Sequence, residues 1–250
     1  MKKNKNLAIF LFFAAIVQIY VIYHFYQKGK EDDRKEIFVL RSQAFEKLTT
    51  GYFDSAVKIY SKILDIDSKD SSAHLFRGLV FQGLKKYEDA KNDFNQVLKE
   101  EPNKVDAIIL LGNLHSEMGE DNKALEFYLK AEKIEPGNPL VPVYKAAYFL
   151  KMKQPDKAIK ELEIVQKVKP DFESLQAFFG EAYFQKNELE QAKIYLQNAS
   201  TLGSATTKTF LMLGSVLMAN GDKAGGCEAF KKANRNSSTT AADSLKKYCE

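Results

Sequence analysis

Three histidines and two cysteines are the residues of this 250-residue chain best suited to act as general bases, nucleophiles or metal ligands. His24 lies in an apolar stretch, and His74 and His115 occupy helix-packing positions, so each is expected to pack rather than to react. The sequence contains no His or Cys pair at metal-ligand spacing, no glycine-rich phosphate loop and no nucleophile elbow. Its carboxylates alternate with lysines, as is typical of solvated helix faces. The sequence therefore predicts a protein that is not an enzyme and binds no metal or cofactor.

Charge is dispersed along the chain. The sequence has 37 Lys and Arg residues against 33 Asp and Glu residues, a formal net charge of +4 at pH 7. The basic residues form no stripe that could follow a phosphate backbone. We therefore expect no binding of nucleic acid.

Any site in this chain must be positioned by short helices that recur with a period of 34 residues. The clearest copy is Val105–Asn138, which reads as two helices joined by a tight turn. Apolar residues recur at spacings of three and four in both halves. Gly119 falls between the halves, where a turn requires a residue tolerant of positive φ, and Pro136 ends the second helix. The pattern predicts helix–turn–helix units.

The same residue types return at the same place in six consecutive units. The small residues of the first helix are Ala44, Gly78, Gly112, Ala146, Gly180 and Gly214. The small residues of the second helix are Ala56, Ala90, Ala124, Ala158, Ala192 and Gly226. Four residues later come the large side chains Tyr60, Phe94, Tyr128, Leu162, Leu196 and Phe230. Six copies in register indicate an array in which each unit buries its apolar face mainly on its neighbours.

This pattern resembles the tetratricopeptide repeat (TPR) family, whose 34-residue units carry Gly/Ala, Ala, aromatic, Ala and Pro at these positions. The resemblance implies an all-α fold, an α-solenoid of about six helix–turn–helix units with a C-terminal capping helix. The expected boundaries are 37–70, 71–104, 105–138, 139–172, 173–206 and 207–240 for the units and 241–250 for the cap. Lys47, His74, Pro142 and Gln176 stand where the family usually has a large apolar residue.

The N-terminal residues predict a membrane anchor in front of the array. A basic head at 1–6 precedes an almost continuously apolar stretch at 7–26, and a polar linker follows at 27–36. A helix over the apolar stretch would be about 30 Å long, the thickness of a bilayer core. The small-residue site that a cleaved signal peptide needs is missing. We therefore expect one transmembrane helix, with the N-terminus cytoplasmic and the array in the periplasm at a bacterial inner membrane.

Cys227 and Cys249 allow two interpretations. Cys227 lies in the second helix of the sixth unit, and Cys249 lies in the capping helix that is expected to pack on that unit. They are either two small apolar residues or a disulfide that fastens the cap, which would suit an oxidising compartment. Some bacterial TPR proteins end in a similar GxCxAF…YC segment, and this resemblance makes the two interpretations about equal.

In the TPR family, one face of each first helix lines a concave groove that holds peptides. Carried over by register, the resemblance implies a peptide-binding groove made of Leu75, Leu79, Gln82, Ile109, Asn113, Ser116, Val143, Ala147, Leu150, Ala177, Glu181, Phe184, Leu211, Ser215 and Met218. Some TPR domains grip a terminal carboxylate with Lys, Arg and Asn at these places, but only Asn113 matches in kind, so no such clamp is expected. The mostly apolar lining favours an amphipathic helix or an extended apolar segment as ligand.

These observations predict a membrane-tethered scaffold that binds a peptide or helix of an envelope protein in its groove. A broad-specificity chaperone of the holdase type at the cell envelope is the first alternative, and an N-anchored organellar TPR receptor facing the cytosol is the second. Competition by unrelated unfolded chains would distinguish the chaperone from the scaffold. The sequence does not identify the partner or the oligomeric state.

Overall fold

The computed structural model describes residues 29–234 and 238–250, which are helical and contain no strand. Helix α1 covers residues 29–49. The helices that follow are α2 (Phe53–Ile66), α3 (Ser71–Gly83), α4 (Tyr87–Glu100), α5 (Val105–Glu117), α6 (Asp121–Ile134), α7 (Leu140–Lys151), α8 (Pro155–Val168), α9 (Leu175–Gln185), α10 (Leu189–Thr201), α11 (Thr207–Ala219), α12 (Lys223–Asn234) and α13 (Thr239–Tyr248). Each odd-numbered helix up to α11 is the first helix of a repeat, and the even-numbered helix after it is the second. We number the repeats 1 to 6 in chain order.

The chain divides into two compact units, Met1–Ala107 and Ile108–Glu250, which we call the N-terminal and C-terminal units. In the N-terminal unit, α3 packs against both α2 and α4. In the C-terminal unit, the pairs α7–α8, α9–α10 and α11–α12 pack tightly, and each pair contacts the next. Within each unit the architecture is a stack of helical hairpins, as the 34-residue period predicts.

The hairpins close because a missing side chain on one helix admits a large side chain from the other. Gly112 in α5 faces Tyr128 in α6, and a Cβ atom added to Gly112 would lie 2.5 Å from Cε1 of the ring. Gly214 faces Phe230 in the same way. Repeat 4 has Ala146 at this position and the smaller Leu162 opposite, and both are buried. A small residue on the first helix thus admits a large side chain from the second in each of these repeats.

We expect Gly112→Ala to destabilise the protein by about 1–2 kcal/mol, because overpacking against Tyr128 outweighs the better helix propensity of alanine. Urea unfolding monitored by circular dichroism measures this effect. Gly83→Ala is the matched control, since Gly83 is also helical but has open space where its Cβ would lie. The control should be neutral or slightly stabilising. Equal effects of the two substitutions would contradict this packing argument.

One left-handed residue ends the first helix of every repeat. These residues are Gly51, Lys85, Gly119, Lys153, Asn187 and Gly221, with φ between 56° and 81°. They lie 34 residues apart, so the same turn recurs whichever residue occupies the position. Glycine adopts this conformation without strain, whereas the two lysines do so at a steric cost. The turn is therefore set by the packing of the two helices as well as by the local residue.

The structure corrects the predicted transmembrane helix. In the described residues, no helix is both long enough and apolar enough to cross a membrane. The longest helices from α2 onwards have 14 residues, about 21 Å against the roughly 30 Å of a bilayer core. Helix α1 is longer, but it carries charged residues from Lys30 to Lys47. The single-pass membrane prediction is overturned on this finding, and the segment 7–26 on which it rested lies outside the described residues.

Candidate functional site

An open cleft lies between the first helices of repeats 1 and 2 in the N-terminal unit. Its volume is about 490 Å³, and its lining residues are Phe38, Arg41, Ser42, Phe45, Tyr60, Ser72, Ala73 and Phe76. We call it the aromatic cleft. Helix α1 contributes one wall and α3 the other, while Tyr60 of α2 lies buried at its base.

The aromatic cleft exposes large apolar side chains to solvent. Phe38 is 75% exposed, Phe45 is 59% exposed and Phe76 is 41% exposed. Phe38 and Phe45 lie seven residues apart and therefore on one face of α1. Phe76 stacks on the buried ring of Tyr60 with ring centroids 5.9 Å apart, so the Phe76 ring rests on the base of the cleft. Contiguous exposed apolar surface of this kind marks an interaction site more often than isolated apolar residues do.

A single ion pair borders the aromatic cleft. A guanidinium N–H of Arg41 donates to Asp70, while 49% of the Arg41 side chain stays exposed. Asp70 is buried and also accepts from the backbone N–H of Ala73 at 2.9 Å, which caps the N-terminus of α3. The carboxylate is therefore fixed by the fold, and Arg41 offers the cleft a positive charge.

The three groove residues predicted in repeat 2 differ in their exposure to solvent. Leu79 is exposed, Leu75 is half-buried and Gln82 is buried. Leu79 lies three residues after Phe76 on the same face of α3. Of the three predicted residues, Leu79 thus extends the apolar surface of the cleft.

In the C-terminal unit the structure buries three of the predicted groove residues. Ile109, Val143 and Leu150 are each at most 6% exposed, and Val143 and Leu150 belong to the core between α7, α8 and α9. These three cannot contact a partner in this conformation. The residues that retain accessible surface are Asn113, Ser116, Ala147, Ala177, Glu181, Phe184, Leu211, Ser215 and Met218.

The accessible surface of the C-terminal unit is more polar than the aromatic cleft. Glu181 pairs with Lys208, and Asn113 accepts a hydrogen bond of 2.9 Å from the Tyr128 hydroxyl. Gln185 donates to the carbonyl oxygen of Leu150 at 3.0 Å, which joins α9 to the end of α7. Many of its polar groups are thus engaged in holding neighbouring repeats together.

The two histidines of the repeats lie in polar contacts inside the fold. His74 Nδ1 lies 2.7 Å from Asp93 Oδ1, and Arg77 donates two hydrogen bonds to the same carboxylate. His115 is buried, contacts Glu120 at 2.6 Å and stacks on Phe127. In the described part of the chain, no group of three or more His, Cys, Asp or Glu residues could hold a metal ion. Both side chains are held by these contacts between helices and turns.

Repeats 2 and 4 place buried ion pairs at equivalent positions. Arg77 bonds Asp93 in repeat 2, and Lys145 bonds Glu161 at 2.8 Å in repeat 4. Both pairs join residues 16 apart, one from each helix of the hairpin. Burial opposes the charge of Lys145, but hydrogen bonds to Glu132 and Glu161 outweigh this effect and raise its pKa. These ion pairs were not predicted from the sequence, because the pattern of charged residues is typical of helix faces exposed to solvent.

In repeats 3 and 5, apolar residues occupy the positions of these ion pairs. Repeat 3 has Leu111 and Phe127, and repeat 5 has Phe179 and Tyr195. The rings of Phe179 and Tyr195 stack with centroids 5.0 Å apart. Repeat 6 has the apolar pair Leu213 and Ala229, so these positions are ionic in two repeats and apolar in three.

The last helix is fastened to repeat 6. Cys227 of α12 and Cys249, which follows α13, are joined by a disulfide, so of the two interpretations that the sequence allows, the structure has the bonded one. Tyr248 stacks on Phe230 with ring centroids 6.1 Å apart, and Ala241 is fully buried. Helix α13 thus covers the outer face of the final hairpin, where a repeat array would otherwise expose apolar surface.

The cleft residues Phe38, Phe45 and Phe76 were missed by sequence reasoning. The family positions were carried over by register from repeat 2 onwards, so Phe45, the equivalent of Leu79 in repeat 1, was left out, and Phe76 lies next to the selected Leu75. A direct signal was present, because Phe38 is a large apolar residue where the next repeat has Ser72, and Phe45 is one where the next repeat also has a large apolar residue, Leu79. Such a pair in a first repeat, at a spacing of two helical turns, indicates surface that the neighbouring hairpin does not cover.

Stacked helical hairpins with an uncovered apolar cleft define a helical-repeat protein of the α-solenoid class. Residues 82–142 match the family model described as tetratricopeptide repeat. Anaphase-promoting complex subunit 3 of Schizosaccharomyces pombe is 22% identical over 165 residues, which are 66% of this chain and 25% of that protein. The chain thus spans about a quarter of the length of this relative.

Solved structures show the same fold. A tetratricopeptide repeat protein from Parabacteroides merdae aligns with a TM-score of 0.69 and 19% identity, covering 84% of this chain and 83% of that one. The APC/C hetero-tetramer Cut9–Hcn1 aligns with a TM-score of 0.77 and 14% identity, covering 86% of this chain and 43% of that one. The family model thus covers residues 82–142, and these neighbours share the fold of the chain. Proteins of this family bind protein partners and are generally scaffolds rather than enzymes.

Proposed function

We propose that this protein is a non-enzymatic scaffold that binds a segment of a partner protein in the aromatic cleft. The observation that carries this proposal is the exposure of Phe38, Phe45 and Phe76 on adjoining walls of one cleft. Full burial of a Phe side chain is worth about 1.5–3 kcal/mol, and a partner segment can recover the part of it that corresponds to the exposed fraction of each ring. Aromatic side chains, Phe included, are enriched in the buried core of protein interfaces.

The C-terminal unit offers a second, more polar contact surface in this proposal. Phe184, Glu181 and Lys208 line a cleft of about 440 Å³ between α9 and α11. Asn113, Ala147, Ser215 and Met218 retain accessible surface in the other first helices. Such a surface suits hydrogen bonds to a peptide and side-chain selection more than apolar anchoring. Buried Ile109, Val143 and Leu150 have no part in it.

A broad holdase remains the second candidate, because exposed Phe rings also attract unfolded chains. The two functions differ in what they select. A scaffold retains peptides that share a pattern of anchor residues, whereas a holdase retains many unrelated apolar peptides. Competition by a permanently unfolded chain would abolish binding to a holdase and leave binding to a scaffold largely unchanged.

We expect the double variant Phe38→Ser, Phe45→Ser to lose binding of cleft-selected peptides by at least tenfold. Peptides selected from a random display library on the intact protein supply the ligands, and fluorescence anisotropy measures their affinity. The matched control is Ile164→Ser, Val168→Ser, which removes apolar residues of α8 that are 48% and 60% exposed outside the cleft. Unchanged binding by the cleft variant, or equal loss in the control, would contradict the proposed site.

A further inference from the structure

We infer that His74 is a pH-sensitive link between helix α4 and the loop that joins α2 to α3 (residues 67–70, the α2–α3 loop), and that this link is complete only while its imidazole is protonated. This role is independent of the proposed function. Three observations carry it: the atoms that face the two ring nitrogens, the burial of the ring, and the residues that occupy the same position in the other repeats.

Both ring nitrogens of His74 face hydrogen-bond acceptors. Nδ1 lies 2.7 Å from Oδ1 of Asp93, and Nε2 lies 3.1 Å from the carbonyl oxygen of Ser68. A backbone carbonyl cannot donate, and the Asp93 carboxylate accepts two hydrogen bonds from Arg77, which favour its ionised form. A neutral imidazole has one N–H and would turn the lone pair of its other nitrogen towards an oxygen atom. Only the imidazolium donates to both acceptors.

The contacts of the ring are shielded from solvent. His74 is 9% exposed and Asp93 is 3% exposed. Water therefore compensates poorly for a hydrogen bond that the ring loses, and a buried polar atom left without a partner costs more than an exposed one. Loss of one ring proton thus breaks one side of the link, either to α4 or to the α2–α3 loop.

Charged groups on the neighbouring elements act on the ring in opposite directions. The Asp93 carboxylate of α4 favours the imidazolium, whereas the guanidinium of Arg77, one turn further along α3, opposes it. Asp70 in the α2–α3 loop is buried, but its carboxylate accepts from the backbone N–H of Ala73 and from Arg41 of α1. The direct contact with Asp93 and the acceptor at Ser68 therefore set the preference for the charged ring.

The other charged residues of these elements lie towards solvent. Lys69 of the α2–α3 loop pairs with Glu100, and Lys91 of α4 pairs with Glu88. The exposed charged residues of α2, the α2–α3 loop and α4 are Asp54, Lys58, Lys62, Asp65, Asp67, Lys69, Glu88, Asp89, Lys99 and Glu100. Their effect on a buried ring is weakened by solvent screening.

The position of His74 carries no ionisable side chain in the other repeats. Leu40, Ile108, Pro142, Gln176 and Phe210 occupy it in repeats 1, 3, 4, 5 and 6. A response of this kind is therefore confined to the junction of repeats 1 and 2, and the later repeats provide an internal reference.

The link weakens as the pH rises. The folded chain offers the imidazolium two acceptors that the unfolded chain does not hold in place. The contribution of His74 to stability is therefore present below about pH 6.5, where an imidazole in an unfolded chain is also charged, and is lost as the pH rises through the titration of the folded ring. Asp70 lies in the same loop and caps α3, so a loosened loop also frays the start of α3.

The full chain, labelled with nitrogen-15 at histidine, tests this role from about pH 5.5 to about pH 9. Nuclear magnetic resonance follows the protonation of each ring, and His74→Gln identifies the signals of His74. Hydrogen exchange, corrected for the intrinsic pH dependence of amide exchange, follows the protection of the backbone N–H groups of Asp70 and Ala73. We expect their protection to fall at least tenfold over the pH range in which the His74 ring loses its proton.

Two variants serve as controls. His74→Gln should abolish this pH dependence, because an amide does not titrate in this range and repeat 5 already has Gln176 at the position. His115→Gln removes the other buried histidine that contacts a carboxylate, and it should leave the response of the α2–α3 loop unchanged. Titration of His74 without a change in protection, no titration of His74 between these pH values, or the same pH dependence in His74→Gln would overturn the inference.

Discussion

Asp93→Ala is expected to destabilise the protein by about 3–5 kcal/mol, because it removes the centre of a buried ionic cluster. Asp93 is 3% exposed. Its two carboxylate oxygens accept hydrogen bonds of 2.9 and 2.7 Å from Arg77, and one of them lies 2.7 Å from Nδ1 of His74. Alanine would leave the guanidinium in the interior without its counter-charge, and that cost exceeds the energy of a typical surface ion pair several times over.

Urea unfolding monitored by circular dichroism measures the loss of stability of the protein. Hydrogen exchange of α3 and α4 measures it in the helices of the cluster. Asp89→Ala is the control, since Asp89 is an exposed carboxylate in the first turn of the same helix. It should cost about 0.5 kcal/mol through the helix dipole. If the two variants differ by less than about 1 kcal/mol in their free energy of unfolding, the buried cluster stabilises the protein hardly more than an exposed carboxylate does.

Replacing the ionic cluster of repeat 2 by the apolar residues of repeat 3 should restore stability. Ile108, Leu111 and Phe127 occupy the positions that His74, Arg77 and Asp93 occupy in repeat 2. The triple substitution His74→Ile, Arg77→Leu, Asp93→Phe should therefore recover most of the stability lost in Asp93→Ala, because a packed apolar set can replace a buried ion pair at little cost. Failure of this rescue would indicate that the polar contacts to Ser61 and Ser68 also matter.

Reduction of the Cys227–Cys249 disulfide has the second large effect. The bond closes a loop with a sequence separation of 22 residues, for which the chain-entropy model gives about 3 kcal/mol. Helix α13 has only 10 residues and keeps Ala241 and the Tyr248–Phe230 stack as its main contacts. We expect α13 to exchange its amide hydrogens with solvent much faster after reduction, and α12 to a smaller extent.

Hydrogen exchange with and without a thiol reductant measures this change at the level of each helix. The variant Cys227→Ser, Cys249→Ser should behave as the reduced protein does, and reductant should have no further effect on it. Helices α7 and α8, which lie far along the chain from the bond, are the internal control. Unaltered exchange in α13 would mean that packing alone holds the last helix.

The 34-residue period predicts where helices begin and end, and the small and large residues predict how each hairpin closes. Gly112 and Tyr128 illustrate this, since their contact follows from size and register alone. Which residues of each first helix face outward depends on the rotation of that helix about its own axis, and the period does not give this rotation. Leu75 and Phe76 are neighbours in sequence but lie about 100° apart around α3, so selecting one instead of the other moves the expected site from a half-buried to an exposed face.

The buried ion pairs lie beyond what a single sequence reveals. Arg77 and Lys145 are charged residues on helices whose other charges face solvent, and nothing in their own segments distinguishes them. Their partners lie 16 residues further on, and only the packing of the two helices brings the charges together. The same holds for the aromatic cleft, because exposure of Phe38 and Phe45 depends on which hairpins adjoin α1.

The hairpins share one backbone structure, but their contacts are ionic in some repeats and apolar in others. This difference determines which first helix can pack well against which second helix. If α7 paired with α10 instead of α8, Lys145 would meet Tyr195 where it now meets Glu161, and its buried ammonium group would lose one of its two carboxylate partners. Chains built from near-identical hairpins are prone to such mis-threading and to exchange of segments between molecules. The alternation of ionic and apolar contacts along these helices acts against the pairing of helices from different repeats while the chain folds.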